Sequence, residues 1–213
     1  MMALTTVDEL SSEPTNRVAR RRNQKVHDIL TATANVLAER GYHETSLDEI
    51  AERLDLTKAS LYHYFAGKEA LVSACLESVG GLVTERLATT AADRTGTASE
   101  RLTALIVVQL DSIVREHPQM ARLFLQPLDW PEPFRERTKL LRQQHDEVFR
   151  TVIREGVANG EFGVIDEDVA VHCLHGAMNY VPVWFRPKRK KDYEEMYMTV
   201  ATSLLRLFSP QPA

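Results

Sequence analysis

The sequence predicts an all-α protein, and three observations carry that prediction. Apolar residues recur at helical spacing through long segments, no stretch sustains the strict alternation of a strand, and Gly and Pro fall at the edges of the periodic segments. With 213 residues, 44% of them hydrophobic, the chain can bury a substantial core in one or two domains. No segment approaches the roughly 20 apolar residues of a membrane span, and residues 1–16 lack a signal-peptide pattern. The expectation is a cytoplasmic protein with no membrane partner. A net charge of −4 does not suggest a nucleic-acid binder, but the charge is uneven: Arg17 to Lys25 holds five cations and no acid. DNA recognition needs a local basic patch, not a basic whole. Cys75 and Cys173 each lie in an apolar helical stretch and are expected to be reduced core residues.

The elements follow in order. Residues 1–22 are expected to form a flexible arm, rich in Ser, Thr and Glu and ending in Arg20, Arg21 and Arg22. A first helix over 25–40 carries the stripe Ile29, Leu30, Thr33, Val36 and Leu37 and stops at Gly41, a helix-terminating glycine. Ser46 with Glu49 reads as a capping box opening a second helix, whose buried stripe is Leu47, Ile50, Ala51 and Leu54. Asp55-Leu56-Thr57 makes a turn, and Thr57 is placed to N-cap a third helix that buries Leu61 and Phe65. Lys58, Ser60, Tyr62 and His63 then face outward. A short helix presenting such groups, buttressed by another, suits the major groove as a helix-turn-helix; the plain alternative is an ordinary helical hairpin.

Ala66-Gly67 breaks the chain before a fourth helix over about 68–90, and a loop at 92–97 precedes a helix over about 98–116. A short helix near 119–125 leads into the proline-broken connector Gln126–Pro133, followed by a long helix to about residue 158. The last two helices span about 167–185 and 191–208, for about nine in total. The segment Val169–Phe185 is apolar almost all the way round and must be covered on more than one side. A second copy of the chain is the simplest cover, with Gly176 and Ala177 permitting close approach and Val200, Leu204 and Leu207 contributing from the last helix.

The run from Ile29 through Gly41-Tyr-His-Glu-Thr-Ser-Leu-Asp-Glu-Ile-Ala to Lys58-Ala-Ser-Leu-Tyr-His-Tyr-Phe-Ala-Gly-Lys-Glu-Ala-Leu71 resembles the N-terminal DNA-binding domain of TetR-family repressors. The resemblance covers residues 23–83 and implies an effector and dimerisation domain over 84–213, with the last two helices pairing between copies. It also implies DNA contact by Lys58, Ser60, Tyr62, His63 and Tyr64 and a phosphate contact by Lys68. Tyr64 has packing as its equal alternative. Arg20, Arg21 and Arg22 suit phosphate or minor-groove contact, and Thr45, Ser46 and Thr57, as capping residues, sit where helix N-termini meet phosphates. The C-terminal half, with Glu155-Gly-Val-Ala-Asn-Gly-Glu-Phe162 and His175–Pro187, is similar to members of the family that answer to acyl-CoA thioesters; the basic run Lys188–Lys191 departs from that pattern.

An effector pocket among the helices from 98 to 185 is expected to draw on Phe124, Leu125, Phe149, Met178, Tyr180 and Trp184, with His145, His175 and Asn179 orienting a largely apolar ligand. His172, His175 and Asp168 lie a turn apart, yet no His-Glu-x-x-His or Cys-x-x-Cys pattern accompanies them, so neither metal nor cofactor is expected. His145 with Asp146 lacks a nucleophile motif, and a shared helix face accounts for the pair. The leading expectation is a ligand-released repressor, dimeric on a palindromic operator. An architectural DNA-binding protein without a ligand, and a metal-dependent enzyme on an all-α scaffold, are the alternatives.

Overall fold

The computed structural model describes residues 12–119, 123, 129–163 and 166–210, with side chains from residue 17 onward. Among these the secondary structure is helical throughout. We number eight α-helices: α1 (Ser12–Glu44), α2 (Leu47–Glu52), α3 (Lys58–Tyr62), α4 (Lys68–Ala92), α5 (Ala98–Asp111), α6 (Glu132–Ala158), α7 (Glu167–Trp184) and α8 (Lys191–Leu205). A π-helical turn, Ser112–Glu116, extends α5, and a 3-10 turn, Arg206–Phe208, ends α8. Of the short helix expected near 119–125, only residues 119 and 123 are described, both helical, and the connector is described only from 129.

Helices α1, α2 and α3 form a small head. Helix α1 is broken at Gly41, whose φ of 76° is reached without strain only by glycine. The helix begins well before residue 25, so Arg20, Arg21 and Arg22 stand on α1 and not on an irregular arm; residues 1–11 lie outside the described chain. Ser46 caps α2, its hydroxyl accepting from the Glu49 N–H at 3.1 Å. The reciprocal half of the expected capping box is missing. The Glu49 carboxylate turns instead to Arg53 at 3.0 Å and Arg40 at 3.5 Å, because two guanidinium groups attract it more strongly than one backbone N–H. Asp55 holds the turn with a φ of 52°, which Asp tolerates better than most residues.

Helix α4 belongs to two structures at once. Its first half buries Leu71, Val72, Cys75 and Leu76 against α1, and its second half buries Val83 and Leu87 in the helical body formed by α5 to α8. The body is tied by long-range polar contacts. The Arg101 guanidinium pairs with the Glu155 carboxylate and also donates to the Ala91 carbonyl at 2.7 Å. Thr97 and Glu100 make a complete capping box at the start of α5, and the Glu161 carboxylate accepts from the Ala98 and Ser99 N–H groups at 3.1 Å each. Gly156 is required where α6 meets Phe162: an added Cβ would lie 2.2 Å from that ring and 2.9 Å from the Ala98 Cβ.

Two expectations for α7 and α8 need correction. Leu204 is 7% exposed and packs in the core of its own chain, and Val200 is half-buried. The face α8 leaves outward carries Met198, Thr199, Thr202 and Ser203 instead. Cys75 is buried, its thiol pushed up to about 12 by burial, but Cys173 is exposed on the outer face of α7. Apolar neighbours in sequence do not distinguish an inner from an outer helix face when both are apolar. Pro182, too, lies inside α7, in its last turn.

Candidate DNA-binding and effector sites

The outer surface of the head is built on α3. Thr57 caps it, accepting from the Ser60 N–H at 3.2 Å, and the Thr57 and Ser60 hydroxyls lie 2.9 Å apart. Leu61 anchors the helix in the core, so Lys58, Tyr62 and His63 are left exposed. Tyr62 is 51% exposed, a large aromatic surface facing outward from the head. The Lys58 ammonium rests on Asp48 at 2.8 Å, a surface pair that a phosphate can readily replace.

Three expected contact residues are differently placed. Thr45 is buried and donates its hydroxyl to the Gly41 carbonyl at 2.7 Å, so it braces the break in α1 and offers nothing to a ligand. Tyr64 is half-buried under the Arg22 guanidinium, 6.0 Å from its ring centroid. Lys68 places its ammonium 4.3 Å from the centroid of the Tyr42 ring, and burial holds it below the ordinary lysine value. Arg20 and Arg21 are exposed on the same end of α1.

Tyr42 is also the joint between head and body. Its ring meets Phe134 at 5.0 Å and Trp130 at 6.3 Å, and the neighbouring His43 faces Asp129 at 3.6 Å. Arg137, one turn along α6 from Phe134, reaches Glu77 of α4 at 2.5 Å.

The body holds a cavity of about 200 Å³ between α4, α5, α6 and α7. Gly80 and Thr84 line it from α4, and Gln109 and Ile113 come from α5 and its π turn. Helix α6 gives Leu141, Arg142, His145 and Asp146, and α7 gives His172, His175 and Asn179. Of the expected effector residues, His145, His175 and Asn179 are therefore brought together. Phe149 and Met178 are fully buried in the core and do not line the cavity; Phe149 packs against the rings of His145 and His175, at 5.5 and 4.8 Å. Tyr180 and Trp184 point away, 61% and 52% exposed on the outer face of α7 with Gly176 and Ala177. Phe124 and Leu125 lie outside the described residues.

The wall sets polar side chains among a mostly apolar surface, to which Ile113 and Leu141 contribute. The sequence reading missed Thr84, Gln109 and Arg142. For Gln109 a signal existed: it occupies a position in the buried stripe Leu102, Leu105, Ile106, Leu110 and Ile113 that packing alone would give to a hydrophobe. Its side-chain oxygen lies 3.0 Å from His145 Nε2. Asp146 Oδ1 lies 3.0 Å from His175 Nδ1 and 3.6 Å from His145 Nδ1. Burial alone would raise the Asp146 carboxyl, but the hydrogen bonds from the two imidazoles outweigh it and hold the group well below the usual carboxylate range. Burial lowers His145, against the opposing pull of Asp146. Among the described residues, His175 Nε2 and Asn179 Oδ1 are buried without a hydrogen-bond partner, so both are left to bind a group within the cavity. On α7, His172 Nδ1 lies 2.6 Å from the Asp168 carbonyl, and the Asp168 carboxylate pairs with Arg150 at 2.6 Å.

Comparison with known proteins fits both halves. Residues 29–75 match the tetR family of bacterial regulatory proteins, and residues 95–208 match the tetracyclin repressor-like C-terminal domain. The transcriptional repressor KstR2 of Mycobacterium tuberculosis is 28% identical over 180 residues, 81% of this chain and 86% of its own. The structure of a TetR/AcrR-family regulator from Thermobifida fusca is 31% identical and superposes with a TM-score of 0.63, covering 85% of this chain and 97% of the other. FadR of Bacillus subtilis, solved with stearoyl-CoA, shares the fold at 22% identity and a TM-score of 0.68, over 85% and 98% of the two chains. The chain belongs to the TetR family, as a DNA-binding, ligand-responsive transcriptional repressor.

Proposed function

We propose that the effector is an acyl-CoA thioester with a short acyl group, bound in the cavity between α4, α5, α6 and α7. One observation carries this: a cavity of about 200 Å³ whose wall holds the buried, unpartnered Asn179 Oδ1. That volume falls below the roughly 300–1,000 Å³ of ligand pockets in general, which favours a short chain over a long one. An unpaired acceptor seeks an N–H or O–H donor, and the amides and hydroxyl of a pantetheine arm supply these while a purely lipophilic compound does not. The stearoyl-CoA bound by FadR supports the thioester class.

The DNA-contacting residues in this reading are Arg20, Arg21, Arg22, Lys58, Ser60, Tyr62 and His63, with the cap residues Ser46 and Thr57 at the helix ends. Two copies pair through the outer face of α7, where Val169, Gly176, Ala177, Tyr180, Val183 and Trp184 are exposed, together with Met198 and Leu207. The dimer acts in the cytoplasm, does no chemistry on its ligand, and reads two half-sites roughly 34–36 Å apart or a multiple of this. Release is a coupling free energy: the effector binds better to the arrangement in which the heads no longer fit the operator. Both α4 and α6 reach from the cavity to the head, through Lys68 and through Phe134 on Tyr42, so a shift of either helix at the cavity moves the head.

Operator-bound protein titrated with acyl-CoA esters of increasing chain length tests this. Release is expected with short esters and is expected to weaken as the chain lengthens. Asn179→Leu is expected to keep operator binding and lose release. If lipophilic compounds alone release the DNA, the thioester assignment fails.

A further inference from the structure

We propose that His145, Asp146 and His175 form a binding site for a divalent transition-metal ion in the wall of the cavity. The donor atoms of the three side chains lie within 4.8 Å of one another, brought together from α6 and α7. Sequence spacing gives no hint of the group, because His175 is thirty residues from the adjacent pair and joins it only when the two helices pack.

The arrangement of the His145 ring points to a cation. Its Nε2 lies 3.0 Å from the Gln109 side-chain oxygen, an acceptor that stabilises the tautomer protonated at Nε2. In that tautomer Nδ1 is available as a ligand atom, 3.6 Å from the Asp146 carboxylate, and a metal ion takes the place of the proton that otherwise joins the two. Metal-binding histidines are oriented in this way, with the ring nitrogen remote from the metal held by an acceptor in a second layer. The His175 Nδ1 closes the group at 3.0 Å from the same carboxylate oxygen, and its Nε2 is buried without a partner. Phe149 packs against both imidazole rings, at 5.5 and 4.8 Å, and limits their rotation.

Two imidazole nitrogens and one carboxylate oxygen are the donor set of zinc and its neighbours, not of magnesium or calcium, which take oxygen. Three protein ligands leave a coordination position facing the cavity, the pattern of an open zinc site. The inference stands whichever effector the cavity accepts.

The test uses the tag-free, full-length protein, stripped with a chelator and titrated with Zn²⁺ against a chromophoric competitor. One equivalent per chain is expected, with no response to Mg²⁺ at the same concentration. His145→Gln and His175→Gln are expected to lose the site, while His172→Gln keeps it. Gln109→Leu is expected to weaken it by roughly 10–100-fold, as second-layer changes do. Cobalt in place of zinc is expected to give visible d–d bands without a thiolate charge-transfer band, which separates this site from the exposed Cys173. Should the glutamine variants fail to fold, X-ray absorption of the zinc-loaded wild type decides, and two imidazole ligands are expected. Absence of saturable uptake, uptake unchanged in the glutamine variants, a thiolate band, or fewer than two imidazoles would each overturn the proposal.

Discussion

The head and the body are both helical, but they are held together over different distances along the chain. In the head, the polar contacts that shape the recognition helix are local: Ser46 to Glu49, Thr57 to Ser60, and Lys58 to Asp48 ten residues away. In the body, the corresponding contacts join Gln109 to His145, Arg101 to Glu155 and Ala98 to Glu161, across 36, 54 and 63 residues. Local contacts make a surface whose form follows from short-range rules, which suits reading a fixed DNA groove. Long-range contacts make a cavity whose shape depends on how several helices settle together. A bound molecule can shift such a structure by favouring one packing over another.

Acid is the broadest way to break this comparison. Asp93, Asp146, Glu155, Glu161, Glu167 and Asp192 are held below the ordinary carboxyl range, and these six belong to the body. Glu155 is held down by Arg101, Glu161 by the Ala98 and Ser99 N–H groups, and Glu167 by Arg154 and Arg150. A depressed carboxyl contributes stability above its unfolded-state value, near 4, and loses it as pH falls through that value toward the lower folded one. Between about pH 5 and pH 3 the body is therefore expected to loosen before the head. Amide exchange should show α5, α6 and α7 losing protection first, and simultaneous loss throughout would contradict the division.

Within the body, Phe149→Ala removes a fully buried ring that holds both His145 and His175. A loss of about 3–5 kcal/mol is expected from such a truncation. Chemical denaturation measures it, and a loss below 1 kcal/mol would mean that the cavity wall collapses to fill the space.

On the head, His63→Ala and Tyr62→Ala leave folding stability nearly unchanged, because both side chains are exposed. Each is expected to weaken specific operator binding by about 1–3 kcal/mol while non-specific binding persists. Operator titrations at several salt concentrations separate the two effects, and unchanged operator affinity in both variants would remove α3 as the reading helix.

The smallest effect sharpens the contrast in capping. Thr57→Ala and Ser46→Ala each delete one accepted N–H bond and are expected to destabilise the head by about 1 kcal/mol. Glu49→Gln is expected to add almost nothing at the Ser46 cap, since the Glu49 carboxylate is engaged by Arg53 and Arg40 and not by that cap. A double-mutant cycle between Ser46 and Glu49 reads the coupling directly. Strong coupling would restore the reciprocal box.

Much of this molecule was legible in the chain. The helical class, the Gly41 break, the Thr57 cap, the outward Tyr62 and His63, and the long apolar helix with an uncovered face all follow from spacing and local chemistry. Each depends on residues within about a turn of one another, where backbone geometry dictates which side chains share a face. Tertiary structure decided what sequence neighbours cannot encode. It placed Leu204 inside and Tyr180 and Trp184 outside on helices that are apolar on more than one side. It set Gln109 behind His145, and it turned two separate histidine motifs into one group with Asp146. The physical reason is the same in each case. A helix's own periodicity fixes its faces relative to one another, but which face meets a partner is fixed only by the packing of helices far apart in the chain.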